Sequence, residues 1–429
     1  MRGRRTSRFT ARPRARAAAW RSPRGRNTRS DKAAALTKAG CYGYCMPIQV
    51  SGARENKYAM GRARAKAEKR VWQPSLRLVY SRQGPEEIPL PERARAYPEF
   101  RYMGSKHRLL PWIHGVLCTL DFETAADPFL GSGCVAYLLK CMGKRVVGSD
   151  FLNFPTVIAK AVVENNSYEL DGPAVRRLLQ PRRRCSQFIE RTFNGIFYTR
   201  ADLQFLDRVC NNVEKLDNEY RQAVARAALI RSCLKKQPRG VFTVGGNRYD
   251  DGRRDLKLSI EEHFLEQVAK FNSVVFSNGR RHSIRRGDVF ALPSREVDLV
   301  YLDPPYVPRA DDNCYMKRYH FLEGLSCYWR DVDIMLDTKV KKIAKPFTPF
   351  GYRRTAIEAF DRLFSAYRNC TIVLSYSSNG YPDKAELESL MRRYKKEVRT
   401  HEKPHRYHFG THRGVERAEV REYLLVGTS

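Results

Sequence analysis

The sequence predicts an α/β fold built on a mostly parallel sheet, and three stretches support that prediction. The run Leu299–Leu302 is apolar without polar alternation, which is typical of a strand buried on both faces. Residues 125–133 lead from a strand end through a glycine-containing loop into an apolar helix start. Asp150 ends a further strand about 20 residues beyond Gly131, a spacing typical of nucleotide-binding βαβ units. Together these stretches indicate a Rossmann-like arrangement, in which ligands bind at the carboxyl ends of the strands.

Composition predicts a polyanionic partner. The chain has 429 residues, enough for two or three domains, and its 42% apolar content is enough for a core. Its formal charge of +33 favours nucleic acid as the partner. No apolar run approaches the ~18 residues of a membrane span, so no membrane partner is expected. The 11 cysteines include no CxxC pair, which favours free thiols in a reducing compartment such as the cytoplasm.

Residues 1–95 are predicted to form a basic tail and linker. Residues 1–70 carry 20 Lys and Arg against three acidic residues, and Met1–Arg29 has too few aliphatic side chains to fold. Three interpretations stay open: an arm along DNA phosphates, a transit peptide, or a non-essential segment ahead of a true start at Met46 or Met60. The linker is rich in proline: Pro85, Pro89, Pro91 and Pro98.

A cofactor-binding region is predicted over residues 96–170. Its first motif, Tyr102–Lys106, places a glycine and a cation before a segment with apolar residues at helical spacing. Ser105 is expected to cap that helix, with Pro111 in its first turns. A glycine followed by a cation is weak evidence by itself.

The second motif, Asp127–Gly133, is the glycine loop. Its glycines let a ligand approach the backbone closely, and the N-terminus of the following helix favours polar or anionic groups. Asp150 is then placed to accept hydrogen bonds from a ribose diol. A further helix is expected to start at Pro155.

Residues 171–272 are predicted to form a helical insert. Two apolar stripes with helical spacing, within 203–216 and 223–234, are expected to belong to the core. The loops Lys235–Gly240 and Gly245–Tyr249 carry basic, aromatic and amide groups that suit contacts to phosphates and bases. A solvated loop without such contacts is the alternative.

Residues 273–429 are predicted to complete the sheet. The stretch Ser283–Phe290 contains a strand ended by Asp288, whose carboxylate can meet the adenine amine of a cofactor. Thr371–Tyr376 and Val420–Val426 are expected to be strands, with a helix over Ala385–Tyr394. Four histidines lack acids or cysteines at ligand spacing, so no metal site is predicted among them: His401, His405, His408 and His412.

The segment Asp303–Tyr306 is the most informative part of the chain. Its prolines fix the backbone and cannot prolong a strand, so the strand Leu299–Leu302 ends in a stiff loop. The loop presents a carboxylate, a carbonyl and an aromatic face. An amine on a flat ring can donate to Asp303 and to a loop carbonyl while the ring lies against Tyr306.

In this order and spacing, five motifs resemble those of the Dam-like N6-adenine DNA methyltransferases of the alpha group. The resemblance covers about residues 98–429, and the basic tail and a first motif with a single glycine depart from the family pattern. The motifs are Tyr102–Lys106, Asp127–Gly133, Asp150, Gly287–Val289 and Asp303–Tyr306.

The resemblance implies a methyltransferase sheet with one reversed strand, a target-recognition insert, and direct in-line transfer from S-adenosylmethionine to a flipped adenine in double-stranded DNA. It also implies a restriction endonuclease as a partner if the protein belongs to a restriction–modification pair. The implied catalytic residues are Asp303, Pro304, Pro305 and Tyr306. The implied cofactor-binding residues are Tyr102, Gly104, Lys106, Asp127, Phe129, Gly131, Gly133, Asp150, Asp288 and Val289.

Three other functions are compatible with parts of the sequence. Some enzymes that methylate adenine in RNA also carry an Asp-Pro-Pro-Tyr motif, although the insert favours DNA. A dinucleotide-dependent oxidoreductase would explain the glycine loop and Asp150, but it leaves Asp303–Tyr306 without a role. An inactive DNA-binding protein would not need the chemical residues that are all present.

Overall fold

The computed structural model describes residues 87–182, 185–243, 252–292, 296–307, 314–406 and 419–429. The predictions for residues 1–86, for Gly245–Tyr249, and for His408 and His412 lie outside these ranges. Among the residues so described, no helix combines the length and apolar character needed to cross a membrane.

Within the ranges that the structure describes, seven strands form one sheet, and two short strands form a separate ribbon. The strands are β1 (Thr124–Asp127), β2 (Arg145–Asp150), β3 (Ser283–Arg286), β4 (Leu299–Leu302), β5 (Ile334–Met335), β6 (Lys342–Ile343), β7 (Thr371–Ser377), β8 (Glu397–Arg406) and β9 (Glu419–Thr428). The spatial order in the sheet is β3-β2-β1-β4-β7-β9-β8. Since only β9 runs against its neighbours, the prediction of a mostly parallel sheet with one reversed strand is confirmed.

Helices connect the strands and fill the insert. The α-helices are α1 (Glu92–Arg95), α2 (Leu110–Leu117), α3 (Cys134–Cys141), α4 (Asn153–Ala159), α5 (Gly172–Leu179), α6 (Phe188–Phe193), α7 (Arg200–Val213), α8 (Glu219–Lys236), α9 (Arg254–Lys257), α10 (Ile260–Asn272), α11 (Tyr315–Cys327), α12 (Arg353–Ala366) and α13 (Lys384–Arg392). Short 3₁₀ turns occupy His107–Leu109, Val289–Ala291 and Pro349–Gly351, and a π-helical turn, Lys160–Glu164, extends α4.

Strand β4 is covered on both faces, which explains its unbroken apolar sequence. Leu299 and Tyr301 belong to one core, and Val300 and Leu302 belong to the other. Helices α12 and α13 contribute to the second core, whereas α2 and α3 contribute to the first. Because alternate side chains of a strand point to opposite faces, a strand between two helical layers needs apolar residues at every position.

The insert helices share the first core with the sheet. The two stripes predicted from helical spacing are buried in α7 and α8, as Leu203, Leu206, Ala227 and Ile230 illustrate. These side chains belong to the same continuous apolar cluster as Leu138 of α3. The insert is therefore packed into the body of the protein.

Two elements occur where the sequence did not predict them. Helix α1 lies within the predicted linker. This segment is ordered because Ala94 and the neighbouring Tyr97 are buried in the first core. Strand β8 has no apolar run, since its exposed and half-buried positions carry charged and polar residues. As an edge strand, β8 is hydrogen-bonded on one side only and tolerates this composition.

Two helix starts also differ from the prediction. Ser105 accepts a hydrogen bond from the His107 amide at 3.4 Å, but Leu109 is the N-cap of α2, so the prediction that Ser105 caps this helix is wrong. Helix α4 begins at Asn153, ahead of Pro155. The buried carboxylate of Glu323 on α11 accepts hydrogen bonds from the first amides of α4 and so fixes that start.

Candidate active site

Three acidic side chains meet at one edge of the sheet. Asp127 ends β1, Asp150 ends β2, and Asp303 directly follows β4. Strand β1 pairs in parallel with both β2 and β4, so the three carboxyl ends lie side by side. Asp288 follows β3, the parallel neighbour of β2. The four predicted acids thus converge on the edge where open α/β sheets bind ligands.

A cleft opens at this edge, with about 1170 Å³ of empty space including its open mouth. Its wall combines aromatic and apolar side chains with a few acidic groups, which is the composition typical of sites that bind small molecules. Lys106 and Asp127 border an adjoining smaller cavity. The predicted residues in the wall of the cleft are Tyr102, Gly104, Phe129, Gly131, Asp150, Asp288, Val289, Asp303 and Pro305.

The glycine loop and Asp150 hold each other in place. The Gly131 amide donates to Asp150 Oδ2 at 3.0 Å, and the Leu152 amide donates to Oδ1 at 2.8 Å. Gly131 has φ of +49°, and a Cβ there would lie 3.1 Å from the Tyr102 ring. Burial raises the pKa of Asp150 to about 7, although the two amides oppose the shift. Asp150 therefore titrates near neutral pH.

Asp127 and Gly133 support the loop from inside. Asp127 is 1% exposed and accepts a hydrogen bond from the Phe129 amide at 3.2 Å. Burial raises its pKa to about 8, with a further increase from Asp303. Gly133 has φ of +75°, and a Cβ there would lie 2.8 Å from the Tyr97 hydroxyl. Gly133 thus packs against Tyr97 and does not appear in the cleft wall formed by the described residues.

Asp288 lies beyond its strand and is exposed. Strand β3 ends at Arg286, and Asp288 caps the following 3₁₀ turn by accepting a hydrogen bond from the Phe290 amide at 3.0 Å. The predicted strand end at Asp288 is therefore wrong by two residues, because this side chain competes for the backbone donor and turns the chain. Val289 is buried in the second core and borders the cleft.

Aromatic side chains of α11 form a wall that the sequence did not predict as part of the site. The Tyr102 ring stacks on Tyr319, with centroids 4.9 Å apart, and on Tyr315, at 5.4 Å. The Tyr319 hydroxyl also accepts a hydrogen bond from the Met103 amide at 2.7 Å. The sequence shows these tyrosines as an aromatic-rich segment, but only the tertiary fold brings them to Tyr102.

Residues 345–351 also border the cleft and were missed. Phe350 is buried and packs edge-on against Phe129, with centroids 5.5 Å apart. Phe347 is 60% exposed and stacks on Tyr352 at 5.6 Å. The segment thus contributes two phenylalanines to the edge of the cleft, of which Phe350 is packed in the core and Phe347 is exposed to solvent.

Asp303 is paired with a buried lysine. Lys106 Nζ lies 2.8 Å from Asp303 Oδ1 and donates to the Gly104 carbonyl at 3.0 Å. Lys106 is 5% exposed and Asp303 is 18% exposed. Burial raises the pKa of Asp303, and Lys106 opposes that shift. Burial disfavours the charge of Lys106, but Asp303 and Glu422 outweigh it and leave the lysine pKa raised.

The two oxygens of Asp303 differ in their surroundings. Oδ1 faces Lys106 and also the Tyr306 hydroxyl, which lies 3.3 Å away. In the described part of the chain, no hydrogen bond reaches Oδ2. Since each carboxylate oxygen can accept two hydrogen bonds, Oδ2 keeps the capacity to bind a donor from a ligand.

The remaining residues of the predicted motif lie beside the cleft. Pro304 is buried, and neither it nor Tyr306 contributes to the described wall of the cleft. The Tyr306 ring packs edge-on against Tyr376, with centroids 4.7 Å apart, and Lys106 Nζ lies 5.0 Å from the ring centre. Its hydroxyl also lies 3.4 Å from Glu422 Oε2 on β9.

Glu422 is a site residue that the sequence did not predict. It is 1% exposed, and it lies in the one reversed strand, which places it close to Tyr306. Nothing in its local sequence distinguishes it from an exposed glutamate of an amphipathic strand.

The basic loop after α8 is partly engaged within the protein. Lys235 pairs with Asp255 at 3.0 Å, and Lys236 lies 3.5 Å from Asp202. Arg239 is exposed. The predicted contacts to phosphates from the two lysines therefore compete with existing ion pairs, whereas Arg239 keeps an exposed side chain.

Comparison with known proteins agrees with this geometry. The family of D12 class N6 adenine-specific DNA methyltransferases matches residues 102–372. The chain is 29% identical over 328 residues to the type II methyltransferase M2.HphI of Haemophilus parahaemolyticus, covering 72% of this chain and 92% of that protein. It is 26% identical over 321 residues to the modification methylase LlaI of Lactococcus lactis subsp. lactis, covering 68% of this chain and 49% of that protein.

Proposed function

The chain belongs to the D12 class of N6 adenine-specific DNA methyltransferases, and from this premise we propose how its residues perform the reaction. Its activity is the transfer of a methyl group to N6 of adenine in DNA. Methyltransferases of this kind use S-adenosylmethionine. The family is defined by DNA substrates, so the RNA alternative has no support.

The cleft suits S-adenosylmethionine. Asp150 is fixed by two backbone amides and can still accept hydrogen bonds from the ribose hydroxyls. Asp288 is exposed at the cleft and can accept one from the adenine amine, with Phe290 beside it. At Gly131 a ligand can approach the backbone closely, because no Cβ intervenes. When bound, the cofactor would supply an electrophilic methyl group on a sulfonium; as the bond from N6 to the methyl carbon forms, the bond from carbon to sulfur breaks, a neutral thioether leaves, and N6 releases one proton to solvent.

Asp303 binds the target amine in this proposal. The N6 amine donates one hydrogen bond to Oδ2 and another to the Pro304 carbonyl, which aligns the nitrogen lone pair with the methyl group. The ionised carboxylate also stabilises the positive charge that develops on N6 during transfer. Lys106 keeps Asp303 ionised despite its burial, as the 2.8 Å ion pair indicates. This buried pair beside the cleft is the observation that carries the proposal.

The target base has to leave the DNA stack to reach Asp303, because the buried end of β4 cannot enter a duplex. Tyr306 is the proposed stacking surface for the flipped adenine, worth about 1–3 kcal/mol of the unstacking energy. Residues 171–272 are the proposed recognition insert, and Arg239 is a candidate for contact with the DNA. The relatives are named a type II methyltransferase and a modification methylase, which supports a cognate endonuclease as the proposed functional partner.

Sequencing of DNA from a host that expresses the protein tests this function. Wild-type protein is expected to leave N6-methyladenine at one recurring sequence, and Asp303→Ala is expected to leave none. Asp361→Ala, which breaks a surface ion pair with Arg393, is the matched control and is expected to behave as wild type. Methylation by Asp303→Ala, with cofactor binding within a few-fold of wild type, would contradict the assigned role of Asp303. In a second assay, incorporation of labelled methyl groups into structured RNA but not into duplex DNA would contradict the proposed function itself.

A further inference from the structure

One hydroxyl group joins the motif after β4 to a buried carboxylate of β9. The Tyr306 hydroxyl lies 3.3 Å from Asp303 Oδ1 and 3.4 Å from Glu422 Oε2. A tyrosine hydroxyl has a single hydrogen to donate, so the two carboxylates share it. The side chain of Glu422 is 1% exposed, and the reversed direction of β9 brings it to this position from 116 residues away.

We propose that Glu422 is a positioning residue for methyl transfer, which orients Tyr306 through its hydroxyl group and strengthens Asp303 as the acceptor for the target amine. This inference rests on the proposed roles of Asp303 and Tyr306. The two hydrogen bonds fix the far end of the Tyr306 ring, and its edge packs against Tyr376. The ring is thereby held in one orientation before a base arrives, which lowers the entropic cost of stacking.

Glu422 also draws part of the Tyr306 hydrogen bond away from Asp303. Without Glu422, the part of the hydrogen bond that Glu422 accepts would be available to Asp303 Oδ1, and Asp303 would then be a weaker acceptor at Oδ2. The negative charge of Glu422 acts in the same direction, because a second carboxylate nearby increases the proton affinity of Asp303. Both effects make Asp303 more basic, whereas Lys106 makes it less basic.

Other titratable groups surround Asp303 and Glu422 and also influence the charges of these two carboxylates. The titratable groups that act on Asp303 besides Glu422 include Lys106, Tyr306, Tyr102, Asp127, Cys134, Tyr301 and Tyr315. Those that act on Glu422 include Lys106, Tyr306 and His405, with Lys403 directly opposite it on β8. Lys106 is a cation that acts on both carboxylates.

A purely structural role is a poor explanation for a carboxylate at this place. A strand inside the sheet needs only an apolar side chain to be stable, as Leu424 and Leu425 of β9 illustrate. A buried charge costs free energy unless it is paired and hydrogen-bonded. Here two of the groups that compensate the charge of Glu422, Tyr306 and Lys106, are themselves residues of the proposed active site.

The test measures the pH dependence of single-turnover methylation of duplex DNA by Glu422→Gln. We expect the rate at neutral pH to fall at least tenfold, and cofactor affinity to stay within a few-fold. We expect the acidic limb of the profile to move to lower pH, because loss of the negative charge lowers the pKa of Asp303. The matched control is Glu402→Gln on β8, whose side chain pairs with Lys384 at 2.7 Å. It should leave both rate and limb unchanged.

Tyr306→Phe provides a second, independent readout. It keeps the ring and removes the hydrogen bond that lowers the pKa of Asp303, so the acidic limb should move to higher pH. Adding Glu422→Gln to the Tyr306→Phe variant should reduce the rate by a smaller factor than adding Glu422→Gln to wild type. The reason is that the hydroxyl group through which Glu422 acts is already absent from Tyr306→Phe. Opposite shifts in the two single variants support the inference, and Tyr306→Phe alone still tests it if Glu422→Gln fails to fold.

An unshifted acidic limb in folded Glu422→Gln, whatever its rate, would overturn the inference. Equal rates for Glu422→Gln and wild type would also overturn it. Asp303→Ala separates this failure from failure of the proposed function. If Asp303→Ala is inactive while Glu422→Gln is unaffected, only the role of Glu422 is wrong. If Asp303→Ala is active, the proposed mechanism is wrong.

Discussion

Replacement of Lys106 by methionine removes the only cation within ion-pair distance of Asp303 among the described residues. The pair is 2.8 Å long, with 5% and 18% exposed side chains. Removal of one partner from a buried ion pair costs about 3–5 kcal/mol, because the other charge remains in a poorly solvated place. The Lys106→Met variant is therefore expected to lose about 3 kcal/mol of unfolding free energy at alkaline pH.

The loss should depend on pH in a specific direction. Burial raises the pKa of Asp303 and Lys106 opposes the shift, so the variant has a still higher pKa in the folded state. The folded variant then binds a proton that the unfolded chain does not, and its stability falls as pH rises. The loss of stability of the variant relative to wild type should become smaller as pH falls through the raised pKa of Asp303, because a protonated Asp303 has no charge that needs a counter-ion.

Activity should follow the opposite trend. Protonated Asp303 cannot accept the hydrogen bond from the amine, so methyl transfer by the variant should be at least about a hundredfold slower at neutral pH. The rate should recover in part as pH rises and Asp303 ionises. Denaturant unfolding and single-turnover methylation, each at several pH values, measure the two trends on the same protein.

Lys160→Met is the matched control for the lysine substitution. Lys160 pairs with Glu219 at 2.6 Å, but the partners are 31% and 62% exposed. Exposed pairs of this kind contribute about 0–1 kcal/mol, so the control should lose little stability and no activity. A Lys106→Met variant whose stability deficit is independent of pH, or whose rate falls as pH rises, would refute the assignment of Lys106 as the counter-ion of an ionised Asp303.

Three further substitutions address the cofactor cleft. Gly131→Ala should weaken binding of S-adenosylmethionine about tenfold by calorimetry, because the added Cβ would prevent close approach of the ligand to the backbone and would displace the Tyr102 ring. Unchanged affinity would contradict a close approach of ligand to the loop. In wild type, cofactor affinity should rise through about pH 7 as Asp150 ionises, and Asp150→Asn should remove this pH dependence. A wild-type affinity that does not change with pH would contradict the ribose contact. Phe347→Ala should keep the free energy of unfolding within about 0.5 kcal/mol of the wild-type value, since this side chain is 60% exposed. It should nevertheless reduce cofactor affinity several-fold. Equal affinities of variant and wild type would show that Phe347 does not contact the cofactor.

Local patterns were enough to predict much of the sheet edge. The glycine loop, Asp150 and Asp303–Tyr306 each depend on a few consecutive residues that end a strand, and strand ends in parallel sheets lie at a common edge. The strand predicted at Val420–Val426 was found within β9, and the two insert stripes were found buried in α7 and α8. These features depend on periodicity and backbone restriction, which short windows of sequence contain.

The missed residues reach the site only through long-range packing. Glu422 enters from the reversed strand, Tyr315 and Tyr319 from α11, and Phe347 from a segment without a regular pattern. Each has an ordinary local sequence, so its role follows from which elements become neighbours in the fold. Strand β8 was missed for a different reason, since an edge strand with polar side chains has no apolar signature.

The shared core of the insert and the sheet has a consequence for protein engineering. Chimeras that exchange residues 171–272 between relatives would carry foreign side chains into the apolar cluster around Leu138, Ala227 and Ile230. Mismatched volumes there would create cavities or overpacking, at about 1–5 kcal/mol for each poorly fitted side chain. A change of target sequence is therefore better attempted by grafting exposed loops, such as the one that contains Arg239, while the buried faces of the insert helices are kept.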